Sequence, residues 1–146
     1  MYKKAQEKLS EHDIRPSLQR LSVMDFLLKN RTHPTADDIY TALAPQIPGL
    51  SRTTVFNTVS LLSKHGAILS LDLDGGRTHY DGDTSPHAHF LCTRCGMIHD
   101  IGLGDDFVQN YSVPALPGAA VTDVQLNYKG LCAECVQKTI EKLGNN

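Results

Sequence analysis

The chain has 146 residues, 40% of them apolar, and 14 Lys and Arg against 16 Asp and Glu leave a net charge of −2. That composition belongs to one globular domain or two small ones and excludes a disordered chain, while no run approaches the ~18–20 consecutive apolar residues of a membrane span. The segment from Met1 to Lys8 lacks the apolar stretch of a secretory signal, so a cytoplasmic location is expected. The average charge hides an asymmetry: residues 1–70 carry a net +3 and residues 71–146 a net −5. If nucleic acid is bound, the basic first half should bind it, and the acidic half should turn away, free to hold cations.

In chain order, Leu18, Leu21, Met24, Leu27 and Leu28 recur at helical spacing between Ser17 and Asn30. Thr35 to Asp38 resembles a capping box opening a helix that carries Ile39 and Leu43 and stops before Pro45. Ser51 caps a third helix, about 52 to 65, whose Val55, Val59 and Leu62 form a buried stripe and which ends at His65-Gly66. Beyond it Leu69, Leu71 and Leu73 alternate with polar residues, Asp74-Gly75-Gly76 turns, and Arg77 to Asp81 returns. Three helices and a hairpin predict a winged helix-turn-helix over residues 1–83. Its third helix would be the recognition helix, leaving Arg52, Thr53, Asn57, Ser60 and Lys64 to face solvent. Those side chains suit base edges and phosphates, although a solvated polar face is the commoner fate of such a pattern.

Residues 84–146 predict a separate small α/β unit, joined through Thr84-Ser85-Pro86. Strands are expected at His89–Leu91 and Met97–Ile101, a short helix at Asp105–Tyr111, a strand at Ala119–Leu126, and a last helix running to about Leu143. So few elements cannot bury a large core, and pairing of two copies into a homodimer would cover the exposed parts.

Cys92 and Cys95 form one C-x-x-C pair and Cys132 and Cys135 a second, with 36 residues between them and no other cysteine in the chain. Two tight turns of this kind can wrap one tetrahedral Zn²⁺, with disulfides or a redox dithiol as the alternatives. Four thiolates would close that site to chemistry, so the metal-type residues His87 and His89 just upstream suggest a sensor. A zinc hydrolase using those histidines lacks a convincing general base near an H-E-x-x-H type helix. A dithiol redox protein is the other reading.

Nearly end to end, the chain resembles the ferric uptake regulator (Fur) family of metal-dependent bacterial transcription factors. The resemblance rests on Arg15–Arg20, His33–Tyr40, Ser51–Asn57, Leu61–Gly66, His87–Gly96 and Gly130–Cys135, in that order and spacing. It implies an α+β fold, a winged-helix DNA-binding domain followed by a dimerisation domain with one structural zinc per subunit, a homodimer, and an inverted-repeat operator in double-stranded DNA. Arg15 would touch the DNA backbone.

Within the family the chain looks most like the peroxide-sensing PerR branch. There a regulatory Fe²⁺ or Mn²⁺, one per subunit, takes three histidines and two aspartates, which match His33, Asp81, His87, His89 and Asp100. A mixed N/O set suits those metals, and five ligands around an octahedral ion leave a vacancy for peroxide. The resemblance implies that iron-catalysed oxidation falls on His33 or His87, loosens the ion and releases DNA, so that the protein is a repressor and no enzyme. The alternative is the same scaffold responding to iron or another divalent metal without sensing peroxide. Asp100, where iron-sensing members usually have Glu, and Asn57, where they tend to have Arg, favour the peroxide branch. Pro86 and Ala88 beside His87, and Val124 upstream of Cys132, depart from the pattern of an extra metal site, and Phe56 replaces a usual tyrosine. His12, His65, His79 and His99 are expected to be ordinary surface or core residues, with His99 on the opposite strand face from Asp100.

Overall fold

The first element of the computed structural model, which describes residues 1–85, 87–103, 116–120 and 125–144, is a helix that the apolar pattern does not announce. Helix α1 (Lys3–Glu11) buries only Ala5 and Leu9 among Lys and Glu side chains, and that single pair four residues apart is too sparse a signal to mark a helix. The next three helices follow their caps. Ser17 Oγ accepts the Arg20 N–H (3.2 Å) at the start of α2 (Leu18–Lys29). Thr35 and Asp38 close a reciprocal capping box on α3 (Ala36–Leu43), with Asp38 N–H to Thr35 Oγ1 at 3.2 Å and Thr35 N–H to Asp38 Oδ2 at 3.0 Å. Ser51 Oγ accepts the Thr54 N–H (3.0 Å) at the start of α4 (Arg52–Lys64), and Gly66, at φ 77°, takes the left-handed position after that helix.

Strands β1 (Leu69–Leu71) and β2 (His79–Asp81) pair antiparallel, Leu69 opposite Asp81, and form the wing. Both are shorter than the alternation suggests, because Asp74 Oδ1 accepts the N–H groups of Gly76 (3.2 Å) and Arg77 (2.9 Å) and folds the tip into its own turn. Val23, Met24, Leu27, Ile39, Val55, Val59, Leu62 and Ile68 are buried to 1% or less and join α2, α3, α4 and the hairpin in one core. This unit spans Met1–Thr84.

The second unit, Ser85–Asn146, has a three-stranded sheet in the order β4-β3-β5 and a terminal helix. Strand β3 (His87–Cys92) pairs antiparallel with β4 (Ile98–Gly102) and parallel with β5 (Asn127–Gly130), and α5 (Ala133–Gly144) follows the second cysteine pair. The strand expected at Ala119–Leu126 is corrected: the described residues 119–120 and 125–126 are not strand, residues 121–124 lie outside the described set, and the strand is Asn127–Gly130. Position is set there by pairing, since Gly130 lies opposite Cys92 and its carbonyl accepts the Thr93 N–H (2.8 Å), bringing Cys132 to the first cysteine turn. The helix expected at Asp105–Tyr111, together with Pro86 and Val124, also lies outside the described residues. None of the described helices is long and apolar enough to cross a membrane.

Candidate metal centres and nucleic-acid interface

All four cysteines are free thiols, and their sulfurs lie within 4.8 Å of one another. Cys95 Sγ and Cys132 Sγ are 3.9 Å apart. A tetrahedron of thiolates ~2.3 Å from a zinc ion has its sulfurs ~3.8 Å apart, so the cluster is dimensioned for zinc. The turn geometry produces it. Cys92 N–H donates to Met97 O (2.9 Å), Gly96 N–H donates to Cys92 O (2.9 Å), and Gly96 adopts φ 77°, which a Cβ would strain. Arg94 Nη1 donates to Thr139 Oγ1 (2.8 Å) and Cys135 O (3.3 Å), tying the first knuckle to α5.

The sulfurs differ in charge preference. The N–H groups of Cys95 (3.5 Å) and Cys132 (3.4 Å) donate to Cys92 Sγ and pull its thiol down from 9.0 to about 5. Burial pushes the Cys135 thiol up to about 12. One sulfur is therefore a thiolate at neutral pH and another waits for a cation to displace its proton.

The nitrogen and oxygen donors form one set in each unit. In the second, His89 lies directly opposite Asp100 on β3 and β4, and His87 is two residues along the same face. Both Nε2 atoms are 3.5 Å from Asp100 Oδ1, and the two rings meet edge to face at 4.5 Å. His87 Nδ1 donates to Ser85 O (2.7 Å), so in the neutral ring Nε2 is the lone-pair nitrogen. A divalent cation can bridge such a nitrogen lone pair and the facing carboxylate oxygen, so the chemistry of this half-set is compatible with a metal ion. His99, as expected, pairs opposite Phe90 and so takes the other face.

In the first unit His33 Nε2 lies 3.4 Å from Asp81 Oδ2, and both side chains are almost completely buried. Asp81 Oδ1 accepts the Asp83 N–H (2.9 Å) and stands 3.9 Å from Arg31 Nε, which orients the carboxylate. Only glycine fits after it, because a Cβ at Gly82 would sit 2.7 Å from the Leu27 carbonyl oxygen. His33 itself holds φ 57°, a left-handed conformation unusual for any residue but glycine. His79, expected to be an ordinary residue, is what fastens it: Nδ1 donates to His33 O (2.7 Å), and Nε2 lies 3.0 Å from Asp74 Oδ2. That contact, with the turn N–H groups, holds the Asp74 carboxyl well below the usual carboxylate range. No spacing rule would have found His79, since its role depends on the carbonyl it meets.

On α4, Arg52, Thr53, Asn57, Ser60 and Lys64 are all exposed, as is Arg15 ahead of α2. Asn57 also lines a groove of about 230 Å³ with Ser17, Gln19 and Arg20 from the start of α2. Arg52 is engaged within the unit: Nη1 contacts Asp37 Oδ1 at 2.6 Å, and its guanidinium carbon lies 4.5 Å from the centre of the Tyr40 ring.

Residues 11–129 match the model of the ferric uptake regulator family. The chain belongs to that family. It is accordingly a metal-responsive transcriptional repressor rather than an enzyme. Among its relatives, the peroxide operon regulator of Bacillus subtilis is 34% identical over 137 residues, covering 93% of this chain and 94% of the relative. The peroxide-responsive repressor PerR of Staphylococcus saprophyticus is 30% identical over 130 residues, 89% of this chain and 88% of its own. The Helicobacter pylori ferric uptake regulator superposes with a TM-score of 0.72 over 93% of this chain and 94% of that one, and its 19% identity speaks for the fold alone. PerR from Streptococcus pyogenes, at 29% identity, covers 92% of both chains with a TM-score of 0.51.

Proposed function

We propose that this repressor senses hydrogen peroxide through one Fe²⁺ per subunit, or adopts the same DNA-binding state with Mn²⁺, held by His33, Asp81, His87, His89 and Asp100. The carrying observation is the pairing of imidazole nitrogens with carboxylate oxygens in each unit, at 3.4 Å in the first and 3.5 Å in the second. Three imidazoles and two carboxylates favour a hard to borderline divalent ion over the soft metals that thiolates select. An ion drawing on both half-sets would join residues 1–83, the DNA-binding domain, to residues 84–146, the dimerisation domain. Metal occupancy would thus become DNA affinity. When bound, Fe²⁺ supplies the electron that reduces peroxide to a reactive oxidant.

His33 and His87 are the side chains we assign to receive the oxygen. Adding it to an imidazole withdraws donor strength from that ring, so the carboxylates and remaining histidines hold the ion less tightly and the two units uncouple. Names of the relatives at 34% and 30% identity, a peroxide operon regulator and a peroxide-responsive repressor, support the peroxide reading.

Zn²⁺ in the four-cysteine cluster, one per subunit, is assigned a structural role. Exposed Val136, Ile140 and Leu143 on α5, at 40%, 56% and 69% exposure, support a homodimer through the second unit. Arg15, Arg52, Thr53, Asn57, Ser60 and Lys64 are assigned to inverted-repeat operator DNA in the cytoplasm.

Mass spectrometry of the Fe²⁺-loaded protein after brief exposure to H₂O₂ tests the sensor. One added oxygen atom is expected on a peptide containing His33 or His87, and none in the Mn²⁺ form. Unmodified peptides, with DNA binding changed only by metal loss, would leave an iron-responsive or other divalent-metal regulator. Asp81→Ala and His89→Ala should each abolish metal-dependent gel shifts, and equal binding with and without metal would defeat the coupling.

A further inference from the structure

Arg52 is one of several exposed polar residues on α4, but its surroundings set it apart. It is the first residue of α4, where a recognition helix reaches base edges. Its Nη1 is fastened to Asp37 Oδ1 at 2.6 Å, and the Tyr40 ring lies 4.5 Å beneath the guanidinium. Both partners belong to α3. The Arg52 and Asp37 side chains are 64% and 79% exposed, so their ion pair adds little stability. What it does is fix a plane and neutralise a charge.

Resting on the DNA-binding reading above, we propose that Asp37 and Tyr40 are positioning residues that aim Arg52 at a base edge and keep it from acting as a general phosphate contact. A guanidinium held by a carboxylate on one nitrogen and by a ring on its face has already lost the rotamer freedom that DNA binding would otherwise remove. The rest of its donor fork suits the paired acceptors of a guanine in the major groove. A phosphate in the same place would meet the Asp37 carboxylate, with Asp38 one residue away, and that repulsion offsets the attraction of Arg52 and of Arg77 in the same cleft. A neutral base edge carries no such penalty. Arg52 and Asp37 line a cleft of about 390 Å³ together with Phe56 and Arg77.

The test starts from the Mn²⁺-loaded full chain, used to select duplexes from a randomised DNA pool. Fluorescence anisotropy across a salt series then compares wild type, Asp37→Ala, Arg52→Ala and the double variant on a selected duplex and on its shuffled counterpart. Asp37→Ala is expected to tighten binding to the shuffled duplex, narrow the discrimination ratio about tenfold, and steepen the salt slope by about one counterion. Those changes should vanish in the Arg52→Ala background. An Asp37→Ala protein with unchanged ratio and slope overturns the proposal, and so does a loss that persists without Arg52, which would mark Asp37 as a support of α3. Tyr40→Leu gives a second route, with the same narrowing expected and an unchanged ratio counting against the aim. Enrichment of no sequence by the wild type would instead remove the DNA-binding reading and the proposal with it.

Discussion

The second unit is the richer of the two in apolar sequence, and the two use it differently. In Met1–Thr84, side chains such as Met24, Leu27, Val59 and Leu62 are sealed in one cluster. In Ser85–Asn146 the buried apolar side chains among the described residues are Ala88, Leu91, Cys92 and Cys135, while Tyr128, Val136, Ile140 and Leu143 stand exposed. Hydrophobic burial can hold the first unit, whereas the small buried set among the described residues of the second is what the proposed zinc cross-link and second copy would supplement. The unit that carries the four-cysteine cluster is also the one from which the proposed regulatory site would draw His87, His89 and Asp100.

The largest way to break that contrast is to remove the zinc site. Cys92→Ser should release zinc and unfold the second unit, forfeiting a site worth ~10 kcal/mol, while amide exchange in α2 and α4 stays slow. Zinc content and hydrogen exchange resolved by segment check both halves of the claim. Acid should reach the same end. The Cys92 thiol is depressed from 9.0 to about 5, so its contribution is complete above pH 9, declines as pH falls, and is gone below about 5. Cys135, raised from 9.0 to about 12, has the opposite sign and changes nothing below pH 9. Because each thiol must give up its proton to bind the metal, zinc retained after dialysis should fall as the pH is lowered.

Leu27→Ala, at a fully buried position, should cost ~2–5 kcal/mol, whereas Ile140→Ala, at 56% exposure, should cost under ~0.5 kcal/mol in the monomer. Denaturant melts would compare them, and a large loss at Ile140 that depends on protein concentration would reveal its burial in a dimer. Gly82→Ala should cost about 1–3 kcal/mol, because its Cβ must displace the Leu27 carbonyl, and it should weaken Mn²⁺ binding by shifting Asp81. A variant with unchanged metal affinity would separate the backbone contact from the site.

Much of the first unit was legible because its signals are local. Thr35 and Ser51 cap the helices they were expected to cap, Ser17 caps α2 where the helical spacing begins, and Val55, Val59 and Leu62 are the buried stripe of α4. Helix α1 escaped because Ala5 and Leu9 anchor it through contacts with the core, which a lone apolar pair does not announce. In the second unit, β5 escaped because Asn127–Gly130 is mostly exposed and owes its place to pairing with β3 rather than to an apolar pattern.

By itself the sequence determined the residue types and intervals: two C-x-x-C turns, histidines two apart on a strand, caps three residues from their partners, and the motifs that join the chain to its family. Those features live within a few residues, where backbone geometry leaves few choices. Only the tertiary structure decided that His79 grips the carbonyl of His33, that Gly82 clears the backbone of α2, and that Asp37 and Tyr40 hold Arg52. Each of these contacts joins residues at least a dozen positions apart, and a one-dimensional pattern has no period that records it.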